Sequence, residues 1–77
     1  MPRIHVLGNC AIYIYADDHS PPHFHVRGPD SEAQIGIEHL NVMRGYITRA
    51  DHMAAISYAK ANRAALLAKW RELNERD

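Results

Sequence analysis

The sequence predicts an α+β fold in which an antiparallel sheet of four to five short strands packs against one long C-terminal α-helix. Three observations carry that reading. Residues 1–47 alternate apolar and polar side chains in short runs, from Thr48 onward apolar residues recur at helical spacing with no Gly or Pro, and the connections between runs are short. Short connections pair neighbouring strands antiparallel. The 77 residues are read as a single domain, with 1–47 mainly strands and 48–75 helix.

Ile4-His5-Val6-Leu7 forms a first short strand, and Gly8-Asn9 supplies a hairpin turn. Ile12, Ile14 and Ala16 then alternate with Tyr13, Tyr15 and Asp17 in a segment rich in β-branched and aromatic residues, the signature of a second strand. Pro21-Pro22 lacks backbone donors and breaks the chain before a third strand, His23 to Val26. Gly28-Pro29-Asp30 closes that strand with turn residues. A fourth follows, where Ala33, Ile35 and Ile37 alternate with Gln34, Gly36 and Glu38, and a short fifth runs from Val42 to Arg44, with Tyr46-Ile47 beyond Gly45. Thr48 is placed to cap the helix, and Asp51 takes the Glu/Gln position of a capping box. Met53, Ile56, Ala59, Leu66, Leu67, Trp70 and Leu73 make the apolar stripe of one long helix, or of two with a break near Asn62. The last few residues read as frayed.

Nine basic and nine acidic side chains balance, so nothing here demands a polyanionic partner. Arg44, Arg49, Lys60, Arg63, Lys69 and Arg71 form either a local positive patch or a solvated helix face. Cys10 is the only cysteine, which excludes a disulfide within the chain and fits a small buried hydrophobe. A chain this small buries only about three-fifths of its unfolded surface, so a bound metal or a second copy becomes attractive. An exposed sheet edge or the helix offers a homodimer contact. One cysteine, no signal peptide and no long apolar run point to the cytoplasm and away from a membrane.

The chemistry concentrates in Asp18-His19-Ser20-Pro21-Pro22-His23-Phe24-His25, which holds three of the six histidines. Side chains alternate along a strand, so His23 and His25 share a face, about 7 Å apart at Cα. That spacing suits a shared divalent transition metal such as zinc, nickel or manganese. His19 would be the third ligand, delivered over the proline pair, while Asp18 or Asp17 adds an oxygen or orients a ring. A metal-free alternative uses His23 and His25 as acid and base in RNA cleavage, with Tyr13 or Tyr15 assisting and Arg27 or Arg44 stabilising the phosphorane. The bland alternative is a hydrated surface cluster. His5, His39 and His52 read as structural or solvated, although His5 joins the site if its strand lies beside that of His23.

Pro2-Arg3-Ile4, Ile12-Tyr13-Ile14-Tyr15, Asp18-His19-Ser20-Pro21-Pro22-His23-Phe24-His25-Val26, Ile35, Ile37, Leu40, Gly45 and Trp70 together resemble a family of small bacterial proteins, domain of unknown function 4160. The resemblance spans essentially the whole chain, and its proline-histidine core is specific. Asn41-Val42-Met43-Arg44 is less acidic than the corresponding stretch often is. Members are often encoded beside another small protein, so the resemblance implies one component of a toxin–antitoxin-like two-gene module with a protein partner encoded nearby. The site at His19, His23 and His25 would then bind metal or act on RNA. The alternative is a non-catalytic interaction module whose histidines hold a structural metal or coat a surface.

Overall fold

The computed structural model describes residues 3–75; Met1, Arg76, Asp77 and the Pro2 of the resemblance motif lie outside the described residues. Its elements are β1 (Arg3–Leu7), β2 (Cys10–Tyr13), β3 (His23–Gly28), β4 (Ser31–Gly36), β5 (Val42–Tyr46) and α1 (Arg49–Asn74). The five strands form one antiparallel meander in the order β1-β2-β3-β4-β5. This is the α+β architecture expected, with five strands.

One face of the sheet is dry. Cys10, Ile12 and Ile14, Phe24 and Val26, and Ile35 and Ile37 pack with Ala55, Ala59, Leu66 and Trp70 of α1. The alternation explains the choice of side: Phe24 and Val26 are fully buried, and so are their cross-strand neighbours Ile35 and Ile12. No helix among the described residues covers the other face. Tyr13, His25, Gln34 and Arg44 are successive cross-strand neighbours there. No helix among the described residues is long and apolar enough to cross a membrane.

Strand boundaries differ from the sequence reading in instructive ways. β2 ends at Tyr13 although the alternation continues to Asp17, because the chain turns at Ala16-Asp17 and Asp17 takes a left-handed φ of 58°. Aspartate tolerates that conformation better than most residues. β3 extends two residues past Val26 and pairs Gly28 with Ser31 across a two-residue Pro29-Asp30 turn. β4 accordingly starts earlier and stops at Gly36. Gly45 lies inside β5 at φ +90°, where a Cβ would run into the Glu32 carbonyl of the neighbouring strand. Only glycine meets both demands.

The helix begins as its cap predicts: Thr48 is the N-cap, and its hydroxyl accepts the Asp51 backbone N–H at 3.2 Å. The box closes through a third residue. Ser31 Oγ accepts the Thr48 N–H at 3.0 Å and donates to Asp51 Oδ2 at 2.8 Å. Cys10 also contributes: burial, then the charge of Asp51 and a hydrogen bond to it, push its thiol above the ordinary value. α1 is one helix kinked at Asn62, whose backbone leaves helical geometry while its side chain donates to the Tyr58 carbonyl at 2.9 Å.

Candidate metal centre

The segment between β2 and β3 brings Asp18 and the Pro21 carbonyl against the histidines of β3. Its anchor comes from the far end of the chain. Asn74, in the last turn of α1, accepts the Asp18 backbone N–H on Oδ1 at 2.7 Å and donates through Nδ2 to the Tyr15 carbonyl at 3.0 Å. The same Nδ2 also donates to the Trp70 carbonyl at 3.0 Å. Asn74 thereby ties the helix end to the loop carrying Asp18.

Asp18 meets both strand histidines with one oxygen. Its Oδ2 lies 2.9 Å from His25 Nε2 and 3.0 Å from His23 Nε2. The three ligating atoms all fall within 4.8 Å of one another. His23 is only 2% exposed, and its Nδ1 sits 2.9 Å from the Pro21 carbonyl. A carbonyl can only accept, so Nδ1 carries a proton; in the neutral form of the ring Nε2 would present a lone pair. That Nε2 is near Asp18 but out of line for hydrogen bonding, so it is a buried nitrogen without a hydrogen-bond partner.

This arrangement matches what a metal-binding imidazole needs: one ring nitrogen donating to a backbone carbonyl, the other free to ligate. Bonds of about 2.1 Å in a tetrahedron place ligating atoms roughly 3.4 Å apart. The Asp18 contacts are within a few tenths of an ångström of that spacing. Ligation of a shared ion would lengthen the two Asp18 contacts by a few tenths of an ångström. Burial raises the Asp18 carboxyl, but hydrogen bonds from His25 and the His19 N–H, with the fields of both imidazoles, outweigh it and hold the group below its ordinary value. Asp18 is thus held in its carboxylate form.

His19 is not brought into the cluster. Its backbone N–H is tied to Asp18 Oδ1 at 3.0 Å, and the residue stands exposed at the edge of the neighbouring depression. The loop offers Asp18, not the third histidine, to the pair on β3. Asp17 is exposed on the turn. Tyr15 packs edge-on against His25, with centroids 4.5 Å apart, and its hydroxyl accepts from Arg27 Nη1 at 3.4 Å. Tyr13 lies beside Tyr15, with Arg27 over its ring. Arg44 lines the depressions on both sides of the cluster. His5 stacks on Tyr58 of α1 at 4.4 Å, and its strand is separated from β3 by β2, so it does not join. His39 is exposed and His52 half-buried.

Asn74 carries no signal as a site residue in the sequence, because its partners Tyr15 and Asp18 lie 59 and 56 residues away. Asp18 was legible from its place in the histidine motif. No curated protein and no solved structure matches the chain. A family model does, over residues 10–71, and its description is Domain of unknown function (DUF4160). That match covers β2 through most of α1 and contains Asp18, His23 and His25, so the chain belongs to the DUF4160 family.

Proposed function

We propose that Asp18, His23 and His25 hold a divalent transition metal as a three-ligand centre open toward the helix-free face of the sheet. The buried His23 Nε2 carries this reading: its sister nitrogen is committed to Pro21, and Nε2 itself makes no hydrogen bond among the described residues although Asp18 Oδ2 stands 3.0 Å away. Two imidazoles and one carboxylate favour zinc or nickel over manganese, which prefers a set richer in oxygen. A divalent ion bound by three protein groups keeps a position for water or substrate, where it acts as a Lewis acid. Asp18 and His25 would complete the centre, Tyr15 would steady the His25 ring, and Asn74 would hold the Asp18 loop.

An open centre is favoured over a purely structural staple. Closed structural zinc sites use four protein ligands, and the loop is already pinned by Asn74 without an ion. His19 serves on this reading as a rim residue. The two-gene, toxin–antitoxin-like setting implied by the resemblance adds a protein partner encoded nearby, with RNA as the target class, in the cytoplasm. The sheet and helix share one core, which supports reading the chain as one domain. Expression without the neighbouring gene that leaves growth and RNA intact would exclude a toxin role.

The direct test is metal stoichiometry, measured by elemental analysis after dialysis against zinc or nickel. One ion per chain is expected in the wild type. His25→Gln and Asp18→Asn should lose it while keeping the circular-dichroism spectrum of the wild type. A folded wild type that takes up neither ion would falsify the proposal.

A further inference from the structure

The candidate centre lies in a row of side chains that crosses four strands. Tyr13, His25, Gln34 and Arg44 follow one another in register, so the row runs roughly 14 Å at the usual strand spacing. A depression of about 390 Å³ flanks it, lined by Tyr15, His25, Arg27, Gln34 and Arg44 among others. Another, of about 330 Å³, is lined by Asp18, His19, His23, Gln34 and Arg44 among others. Gln34 and Arg44 line both. The two depressions thus adjoin along Gln34 and Arg44, His25 lining one and Asp18 and His23 the other, and are treated together as one cleft.

The charges in this cleft are unequally engaged. Arg27 is occupied by Glu32 at 3.8 Å and by the Tyr15 hydroxyl. Asp18 is held by the two imidazoles. Arg44 is exposed and has no ion-pair or hydrogen-bond partner among the described residues. A divalent ion at the cluster would add positive charge on the same side as this free guanidinium. Such a surface selects an oxyanion, and a phosphate can offer two oxygens to the arginine fork and a third to the ion. The cleft is far larger than inorganic phosphate and falls in the size range of small-molecule sites. Tyr15 supplies an aromatic wall at one end, suited to the flat part of a ligand.

The geometry points to a phosphate ester of a nucleoside as the ligand of this cleft, its phosphate at Arg44 and the open side of the metal centre and its base toward Tyr15. This rests on the metal reading above. The same chemistry is presented by a free nucleotide and by one nucleotide within a single-stranded RNA.

The test is calorimetric titration of zinc-loaded protein with AMP, inorganic phosphate and a uridine hexanucleotide, with zinc stoichiometry measured on the same samples. AMP should bind, and Arg44→Gln should weaken it about tenfold with one zinc retained. Lys60→Gln, on the helix, should change it less than about twofold. A hexanucleotide at least about tenfold tighter than AMP assigns the source to a chain, and comparable or weaker binding assigns it to the free nucleotide; both support the inference. Zinc-loaded protein that binds no AMP overturns the inference and leaves the metal reading standing. Inorganic phosphate binding as tightly as AMP, or Lys60→Gln acting like Arg44→Gln, also overturns it. A chain that takes up no zinc overturns both, and its zero stoichiometry identifies that outcome.

Discussion

The two faces of β3 are built to opposite rules. Phe24 and Val26 look into a core made of aliphatic side chains and α1, whereas His23 and His25, one residue out of step, belong to the face that carries no helix. Yet His23 is as inaccessible as its neighbours. A helix buries β3 on one side; a short loop, pinned by Asn74, buries its first residue on the other. The difference lies in what the cover contains. The helix offers Ala55, Ala59, Leu66 and Trp70, while the loop offers a carboxylate and a proline carbonyl. Burial beneath the loop therefore isolates polar atoms from water and arranges them around a point.

Two buried side-chain nitrogens without a hydrogen bond among the described residues sharpen this contrast. Trp70 Nε1 lies on the core side and can only donate. His23 Nε2, in the neutral ring with its proton on Nδ1, would accept or ligate. The former costs stability without offering chemistry, whereas the latter is the atom to which the proposed centre assigns the ion.

The largest expected effect separates the faces directly. Phe24→Ala should cost about 3–5 kcal/mol, a large share of the stability of so small a fold. His25→Ala, measured without metal, should cost under about 1.5 kcal/mol, because His25 is half-buried and loses one hydrogen bond. Urea unfolding measures both, and equal losses would break the contrast.

Metal should stabilise only through the loop-covered side. At a free zinc concentration about a hundredfold above the dissociation constant, the wild type should gain about 2.7 kcal/mol, or roughly 10–20 °C in Tm. Chelator should remove the gain. Asp18→Asn should show none of it, and a full zinc shift in that variant would place the ion elsewhere.

Ser31→Ala should cost about 1–3 kcal/mol, because it strips the Asp51 carboxylate of its buried hydroxyl partner and leaves the Thr48 N–H unmet. Chemical denaturation checks this, and a change within about 0.5 kcal/mol would show that water replaces the hydroxyl. Asn74→Ala should act on the other side: zinc affinity falls about tenfold, as for other residues that orient ligands. The loss should exceed any change in zinc-free Tm when both are expressed as free energy.

Cys10 gives the smallest effect. Its raised pKa keeps the folded thiol neutral where the unfolded thiol ionises, so its stabilising contribution is full below about pH 8.5 and declines as pH rises above it. Alkylation should be slow in the native chain and fast in denaturant. Rapid native labelling would mean that the Cys10 edge of the sheet opens readily.

Legibility followed the range of the interactions. The pairing of His23 with His25 depends only on strand alternation, and the Thr48 cap only on neighbours three residues apart; both could be read along the chain. The β2 end could not, because the period continues through Tyr15 while the backbone turns at Asp17. The choice of Asp18 over His19 as the third group also escaped the pattern. Both residues occupy the motif, and the direction of the loop decides between them.

The sequence by itself determined the meander, the long helix and the presence of two imidazoles on one face, because periodicity and turn chemistry are local. Tertiary structure decided which carboxylate reaches them, which face stays open and which distant residue fixes the loop. Those outcomes depend on Asn74 meeting Tyr15 and Asp18 from the opposite end of the chain, and on Ser31 meeting Thr48 and Asp51 across the sheet–helix junction. Such contacts form only when the apolar face of the sheet has closed on the helix. No spacing along the chain encodes them.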